Sequence, residues 1–208
     1  EMKPQVNPDH YNGLAYDSKE RFISYWHQIN EILLLKPMIV LEIGIGNGFV
    51  SRYLSEHKLN VTTLDTNHAL HPDVGGSILS VPFRDECFDV VSCCEVLEHL
   101  PYSEFLDALQ EIHRVSRKYV ILSLPDITTI YKIHLELPRI QSIKKLIIHP
   151  FHRPKDHVFD GQHYWEIGKT GYSHEKIEND IECAGLKIIK TYRVFEFTYH
   201  RFYLLIKG

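Results

Sequence analysis

An acidic residue, Glu42, is followed by three glycines, Gly44, Gly46 and Gly48, each separated from the next by one residue. Glycine lets the backbone adopt positive φ and lets a ligand approach the chain closely. The apolar run that begins at Met38 has the pattern of a buried strand, and a helical pattern follows the glycines. A helix N-terminus offers backbone N–H groups to an anionic group. The stretch therefore predicts a ligand site, with a purely structural turn as the alternative.

A second acidic residue, Asp65, ends the next strand-like run. A carboxylate there can accept two hydrogen bonds together. The dinucleotide fingerprint G-x-G-x-x-G is not matched, because Phe49 stands where its third glycine belongs. An NAD-dependent oxidoreductase nevertheless stays one alternative, and a non-catalytic cofactor-binding regulatory module is another.

A histidine-rich segment lies in the second half of the chain, with His149, His152, His157 and His163 followed by Tyr164 and Trp165. His163 is the candidate general base, because two aromatic rings beside it could wall a pocket and the pKa of free histidine is near neutral. Surface residues and metal ligands are the alternatives. The His149-x2-His152 pair lacks a cysteine or carboxylate pair at standard spacing, so no metal site is predicted.

Composition limits the classes of protein. A chain of 208 residues suits one domain, and a net charge of −4 gives no reason to expect a nucleic-acid partner. No apolar run is long enough for a transmembrane segment. Four cysteines in a chain of this length do not make a disulfide framework. These features predict a cytoplasmic protein.

The spacing of apolar residues predicts an alternation of helices and strands. Helices are expected at residues 18–36, 48–56, 102–116 and 173–184, and strands at 38–43, 60–65, 77–79, 88–93, 119–124, 186–195 and 198–206. The alternation predicts βαβ units and a parallel sheet, with the last two strands as an antiparallel hairpin. Asp89 and His99 are interpreted as structural residues. Aromatic residues near the N-terminus, Tyr11, Tyr16 and Trp26, are candidates for the core or for a cover over a ligand.

The alternation is interrupted between residues 126 and 170. Residues 126–148 are expected to be helical on either side of Pro138, and residues 151–170 to be irregular. Six lysines or arginines and one acidic residue lie between Lys132 and Lys155, a local charge of +5. A solvated helix face explains this charge, and an anionic acceptor or an interfacial helix carrying Ile140, Ile143 and Ile147 is the alternative.

Four motifs in order resemble those of class I S-adenosylmethionine-dependent methyltransferases of the type-11 branch. They are Glu42-x-Gly-x-Gly-x-Gly48, the acid at Asp65, residues 76–83 (Gly-Ser-Ile-Leu-Ser-Val-Pro-Phe), and residues 88–91 with 95–100 (Glu-Val-Leu-Glu-His-Leu). The resemblance covers about the first 60% of the chain. It implies a Rossmann-like, doubly wound, mostly parallel seven-stranded α/β sheet, with a C-terminal antiparallel hairpin and an insertion before the last helix.

The resemblance also implies a cofactor, S-adenosyl-L-methionine, and the residues that hold it. Glu42, Gly44, Gly46 and Gly48 would hold the amino-acid end, Asp65 the ribose, Thr66 and Asn67 the adenosine flank, Ser77 and Ile78 the adenine, and Cys94 and Glu95 the methionine part. Many relatives carry an acid at the position of Ser77. We expect a single methyltransferase domain over residues 1–208, with an N-terminal arm and helix at 1–36 and a substrate-side insertion or lid at 126–170. The expected reaction is methyl transfer to a small or medium-sized, possibly anionic, small-molecule acceptor.

Overall fold

The computed structural model describes residues 8–11, 13, 16–136 and 142–208. The α-helices are α1 (Lys19–Leu34), α2 (Phe49–Glu56), α3 (Phe105–Val115) and α4 (His174–Cys183). The strands are β1 (Ile39–Ile43), β2 (Asn60–Asp65), β3 (Val74–Gly75), β4 (Phe88–Cys94), β5 (Ser116–Pro125), β6 (Ile130–Leu135), β7 (Ile143–Ile148), β8 (Leu186–Arg193) and β9 (His200–Lys207). Short 3-10 helices cover Pro8–Tyr11, His68–Leu70, Leu97–His99 and Tyr102–Glu104.

Seven strands form one sheet in the order β3-β2-β1-β4-β5-β9-β8. The first five run parallel to one another, and β9 is antiparallel to both β5 and β8. The predicted seven-stranded, mostly parallel Rossmann-like sheet with a C-terminal antiparallel hairpin is therefore confirmed. The strand order reverses at β1 and β4, and in such sheets the crevice at the carboxyl ends of these strands is where ligands bind.

Both faces of the sheet are covered by apolar side chains. On one face, Tyr25, Ile29 and Ile32 of α1 pack with Val50 and Leu54 of α2. The other face carries the larger cluster, to which α3 and α4 contribute. Burial on both faces explains why the parallel strands read as nearly continuous apolar runs.

The boundaries of α1 follow from its sequence. The Ser18 side chain accepts a hydrogen bond from the Arg21 N–H at 3.2 Å and so caps the helix N-terminus. The helix ends at Leu34, and Lys36 has a φ of 51° directly before Pro37. Trp26 is 58% exposed, so its expected place in the core or over a ligand is wrong.

The segment 126–148 forms strands where helices were expected. β6 and β7 pair antiparallel in a separate two-stranded sheet, with Ile130 opposite Ile148 and Leu135 opposite Ile143. Isoleucine prefers an extended backbone, and contacts between side chains on the paired strands stabilise that conformation. Ile143 and Ile147 therefore lie on a strand, which excludes the interfacial helix; Pro138 and Ile140 lie outside the described residues.

A second difference concerns the strand expected at residues 77–79. The third strand is instead Val74–Gly75, and residues 78–79 form a turn in which the Ser77 hydroxyl accepts a hydrogen bond from the Leu79 N–H. Of the helices in the described part of the chain, none is long and apolar enough to cross a lipid bilayer. All four cysteines are free, as expected.

Candidate functional site

A cavity of about 560 Å³ opens at the carboxyl ends of β1, β2 and β4. Its wall divides into two groups of residues. The glycine wall comprises Glu42 to Asn47, Asp65 to Asn67, and Ile78, and the histidine wall comprises Glu95, Glu98, His99, His163, Tyr199 and His200. The two groups face one space, which is large enough for a nucleotide-sized ligand.

The backbone of the glycine wall requires glycine. Gly44 has a φ of 82°, and a Cβ atom placed on it would lie 2.3 Å from Val96 Cγ2. Gly46 has a φ of 53°, and its Cβ atom would lie 3.4 Å from the Tyr16 hydroxyl at the cavity. Side chains are disfavoured at positive φ, and at Gly46 one would also approach two tyrosines that line the cavity, Tyr11 and Tyr16. Gly48 has a φ of 69° at the start of α2 but does not line the cavity.

Two carboxyl groups give the glycine wall its polarity. Asp65 is fixed in orientation, because its Oδ2 accepts the Ile45 N–H at 3.1 Å and its Oδ1 accepts the Asn67 N–H at 2.8 Å. Burial raises the pKa of Asp65 above its usual value, although the backbone hydrogen bonds oppose this. Glu42 is almost fully buried, and its Oε2 has no hydrogen-bond partner among the described residues. Burial raises the pKa of Glu42 to about 8.

Two tyrosines of the N-terminal segment lie at the cavity close to Gly46. Tyr11 and Tyr16 line the cavity and contact each other edge to face, with ring centroids 5.1 Å apart. The Arg21 guanidinium lies 4.4 Å from the centre of the Tyr16 ring, which orients this cation toward the cavity that it also lines. Tyr11 and Tyr16 therefore lie at the cavity, as expected for residues that cover a ligand, whereas Trp26 does not.

Part of the insertion is held against the turn that follows β4. The Tyr164 N–H donates to the Glu98 carbonyl at 2.8 Å, and the Trp165 Nε1–H donates to the Leu100 carbonyl at 3.1 Å. Trp165 itself is fully buried against Phe105, so the expectation that it walls the pocket is wrong. These contacts place His163 in the histidine wall.

His163 has an ordered set of neighbours. Its Nδ1 lies 3.1 Å from Glu166 Oε1 and 3.3 Å from the Tyr199 hydroxyl, and its Nε2 lies 4.0 Å from Glu98 Oε1. Tyr199 also donates to Glu166. Burial raises the pKa of Glu166, but the hydrogen bonds from His163 and Tyr199 outweigh the effect of burial. The pKa of Glu166 is therefore lower than its usual value.

Glu98 and His99 project from the 3-10 turn Leu97–His99 beside His163. Glu98 is fully buried, and neither of its carboxylate oxygens has a hydrogen-bond partner in the described part of the chain. Burial and the nearby Glu95 carboxylate raise the pKa of Glu98. His99 Nδ1 lies 3.1 Å from the Gln162 carbonyl, and burial together with His163 lowers the pKa of His99 to about 4. His99 is thus a packed residue, as expected, but it lines the cavity.

Glu95 follows β4 in a strained conformation. Its φ is 54°, held by the hydrogen bond from its N–H to the Ser123 carbonyl. Its Oε1 accepts the Ser123 hydroxyl at 2.8 Å, and its Oε2 lies 3.2 Å from His200 Nε2. Burial lowers the pKa of His200 to about 3, so His200 is neutral, and its Nδ1 lies 2.7 Å from the Ser24 hydroxyl. Burial raises the pKa of Glu95 to about 7.

Most of the predicted site residues lie around this one cavity: Glu42, Gly44, Gly46, Asp65, Thr66, Asn67, Ile78, Cys94, Glu95 and His163. Gly48 and Ser77 do not line it. The Ser77 hydroxyl is instead used within its own turn. Sequence reasoning missed Glu98, Tyr199 and Arg21 as cavity residues. Glu98 carried a usable signal, because a glutamate in the short turn that follows a buried strand, directly beside a histidine, is in an uncommon place for a solvated charge.

The remaining histidines of the insertion have structural partners. His152 accepts from the Thr129 N–H at 3.1 Å and contacts the Gly168 carbonyl, and His157 Nε2 contacts the His163 carbonyl at 2.7 Å. Asp89 is structural as expected, since it accepts the N–H groups of Met38 and Ile39. The described basic residues of the insertion do not line the cavity, so the anionic acceptor stays a prediction.

Comparison with known proteins agrees with this geometry. Residues 41–124 match the methyltransferase domain family of type 11. An uncharacterized protein of Methanocaldococcus jannaschii is 36% identical over 87 residues, which is 38% of this chain and 36% of that protein. The tRNA U34 carboxymethyltransferase of Nautilia profundicola is 28% identical over 116 residues, 48% of this chain and 39% of that protein. The matches thus span little more than a third of these relatives.

The fold is shared with solved methyltransferase structures. Magnesium protoporphyrin IX methyltransferase from Synechocystis PCC 6803, solved with bound S-adenosylhomocysteine, superposes with a TM-score of 0.63. Its sequence is 14% identical, and the superposition covers 95% of this chain and 90% of that one. The family match of residues 41–124 and the strand order of the sheet both agree with the resemblance to class I S-adenosylmethionine-dependent methyltransferases that the sequence motifs indicate.

Proposed function

We propose that this protein transfers a methyl group from S-adenosyl-L-methionine to a small or medium-sized acceptor bound between the glycine wall and the histidine wall. The observation that carries the proposal is the convergence of Glu42, Gly46 and Asp65 on one cavity that His163 also lines. A donor bound along the glycine wall and an acceptor bound along the histidine wall would meet inside it. Alignment of two reactants in this way supplies a large part of catalysis.

The residues of the glycine wall fit the cofactor. The buried Glu42 Oε2, which lacks a hydrogen-bond partner among the described residues, suits the ammonium group of the amino-acid end. Asp65 is already oriented by two backbone N–H groups and keeps lone pairs for the ribose hydroxyls. Thr66, Asn67 and Ile78 lie next to it for the adenosine part, and Cys94 and Glu95 continue toward the methionine part. We do not assign Ser77 or Gly48 a contact with the cofactor.

The reaction is an in-line displacement. The acceptor atom forms a bond to the methyl carbon while the bond from that carbon to sulfur breaks, and the electron pair stays on sulfur, which gives S-adenosylhomocysteine. A proton leaves the acceptor if it attacks through an O–H or N–H group. His163 is the candidate to take this proton, because Glu166 orients its Nδ1 and stabilises the charged ring. Glu98 lies beyond its Nε2 at 4.0 Å.

Cofactor binding is tested by calorimetry with S-adenosylhomocysteine. The wild type is expected to bind in the micromolar range, Gly46→Val to lose binding, and Asp65→Asn to lose about tenfold or more through its ribose contacts. Gly171→Val is the control for the glycine change, since Gly171 also has positive φ, at 83°, and lies outside the cavity. Asp73→Asn is the control for the carboxylate. Full affinity in both Gly46→Val and Asp65→Asn would show that the cofactor binds elsewhere.

Methyl transfer itself needs a second experiment. The protein is incubated with cofactor carrying a radiolabelled methyl group and with fractionated cell extract, and label is expected in a small or medium-sized compound. Binding of the cofactor without transfer to any compound would favour a cofactor-binding regulatory module. Tight binding of NADH without a response to S-adenosylmethionine would favour the oxidoreductase.

A further inference from the structure

The histidine wall contains a cluster with the composition of a metal site. Glu98, His99 and His163 each offer one nitrogen or oxygen atom, and these three atoms lie within 4.8 Å of one another. The Glu98 carboxylate is fully buried, lines the cavity, and has no hydrogen-bond partner among the described residues on either oxygen. A buried carboxylate that accepts no hydrogen bond is costly in its charged form, and a cation beside it would offset that cost.

Both histidines are held in the orientation that metal ligands adopt. Nδ1 of His99 lies 3.1 Å from the Gln162 carbonyl, and Nδ1 of His163 lies 3.1 Å from a Glu166 carboxylate oxygen. Both partners are acceptors, so the neutral rings carry their hydrogen on Nδ1 and their lone pair on Nε2. Histidine ligands of metals usually donate their other ring N–H to a carbonyl or carboxylate, which fixes the tautomer and the ring orientation.

The charge of this region points in the same direction. Glu95 and Glu98 line the cavity, and Glu166 contacts His163, which also lines it. Arg21 is the one arginine or lysine among the described residues that line the cavity. Arg21 is not within ion-pair distance of Glu98 in the structure. A divalent cation between Glu98 and the two rings would compensate the excess negative charge.

We propose that Glu98, His99 and His163 bind a divalent metal ion in the acceptor half of the cavity. Two imidazoles and one carboxylate are the donor set of Fe²⁺, Mn²⁺ and Zn²⁺ sites that keep open positions, whereas Mg²⁺ and Ca²⁺ prefer oxygen ligands alone. The sequence predicted no metal, because it offered only the His149-x2-His152 spacing. The three proposed ligands lie in two segments separated by more than 60 residues.

The metal also indicates a class of acceptor, a step that rests on the proposed function. Open coordination positions would take an acceptor through hydroxyl or enol oxygens, and the ion would lower the pKa of the bound oxygen. That oxygen would then lose its proton to solvent, attack the methyl carbon, and leave the electron pair of the broken bond on sulfur. His163 would act as a ligand in this case and not as the general base.

Metal binding is tested on the purified chain after treatment with a chelator and dialysis. MnCl₂ is titrated into the protein, and free Mn²⁺ is followed by electron paramagnetic resonance, with ZnCl₂ as competitor. One ion per chain is expected, displaced by Zn²⁺. Glu98→Gln, His99→Asn and His163→Asn are each expected to weaken binding by about 100-fold or more. His149→Asn, a histidine of the same insertion outside the cavity, should bind as the wild type does.

The thermal midpoint provides a second measurement that does not need activity. Mn²⁺ should raise the midpoint of the wild type and of His149→Asn, because it binds the folded state, and should leave that of His99→Asn unchanged. This comparison holds even if Glu98→Gln does not fold. Failure of the folded wild type to bind Mn²⁺ or Zn²⁺, or equal binding by the His99 and His163 variants, would overturn the proposal.

Calorimetry with S-adenosylhomocysteine separates this inference from the proposed function. The metal-site variants should keep the cofactor affinity of the wild type within a few fold, because Glu42 and Asp65 are unchanged. Cofactor binding without metal binding overturns the metal site alone, whereas metal binding without cofactor binding overturns the proposed donor. If His163→Asn is the only one of the three variants that retains Mn²⁺ binding, His163 is not a metal ligand. That result overturns the three-residue site and supports the role of His163 as the general base.

Discussion

The glycine wall and the histidine wall face the same cavity but are built differently. The glycine wall comes mainly from two strand ends and the turns that follow them, and its contacts are local: Asp65 accepts N–H groups from Asn67 and from Ile45 on the adjacent strand end. The histidine wall joins the turn after β4 to the insertion and to β9, so its neighbours are far apart in sequence. His163 meets Glu98 across 65 positions and Tyr199 across 36.

Because the two walls are built from different parts of the chain, the residues of one wall can change without altering the other. The backbone geometry of the glycine wall follows from the parallel sheet, since the carboxyl ends of β1 and β2 must lie side by side. The histidine wall depends on how residues 160–168 dock, and docking rests on Trp165 and on hydrogen bonds to Glu98 and Leu100. We infer that donor chemistry is set by the sheet and acceptor chemistry by the docked insertion.

The largest expected effect tests whether the insertion is part of the core. Trp165 is fully buried against Tyr102 and Phe105 and donates to the Leu100 carbonyl, so Trp165→Ala should cost about 3–5 kcal/mol of unfolding free energy. Urea unfolding measures it. Phe151→Ala is the control, because Phe151 in the same insertion is 78% exposed and should change stability by less than about 0.5 kcal/mol. Equal stability of both variants would mean that residues 160–168 dock without contributing to the core.

A smaller effect is expected in the glycine wall and depends on pH. Burial raises the pKa of Glu42 to about 8, so the folded chain keeps a proton that the unfolded chain has released above about 4.5. Ligand-free stability should therefore fall as pH rises from about 4.5 to 8. Glu42→Gln resembles the protonated form and should be more stable than the wild type at pH 9, by on the order of 3 kcal/mol, and equal at pH 4.5.

Urea unfolding at several pH values checks this prediction. Glu56→Gln, which changes an exposed carboxylate at the end of α2, should leave the pH profile unaltered. A Glu42→Gln profile parallel to that of the wild type would mean that Glu42 ionises normally. The fit of its carboxylate to an ammonium group would then rest on geometry alone.

The sequence predicted the parts of the fold that depend on local pattern. Gly44, Gly46 and Asp65 were identified because strand, turn and helix follow one another within a short stretch. The helical spacing of Ile143 and Ile147 predicts a helix at residues 143–148, whereas the observed strand depends on pairing with residues 130–135. Glu98 and His163 could not be joined from sequence, because their proximity is a product of the docked insertion.

The smallest expected effect concerns the edge of the insertion. Lys144 of β7 pairs with Glu196 at 2.6 Å beside Phe195, and both charged side chains are about 40% exposed. Exposed pairs contribute about 0.2–1 kcal/mol, so Lys144→Ala should lower stability by no more than that and should leave cofactor and metal binding unchanged. Lys145, the next residue of β7, makes no ion pair with a described residue and serves as the control. A loss of cofactor affinity in Lys144→Ala but not in Lys145→Ala would show that the β6–β7 sheet is coupled to the cavity. The contrast between a glycine wall built by the main sheet and a histidine wall built by the docked insertion would then have to include the β6–β7 sheet as well.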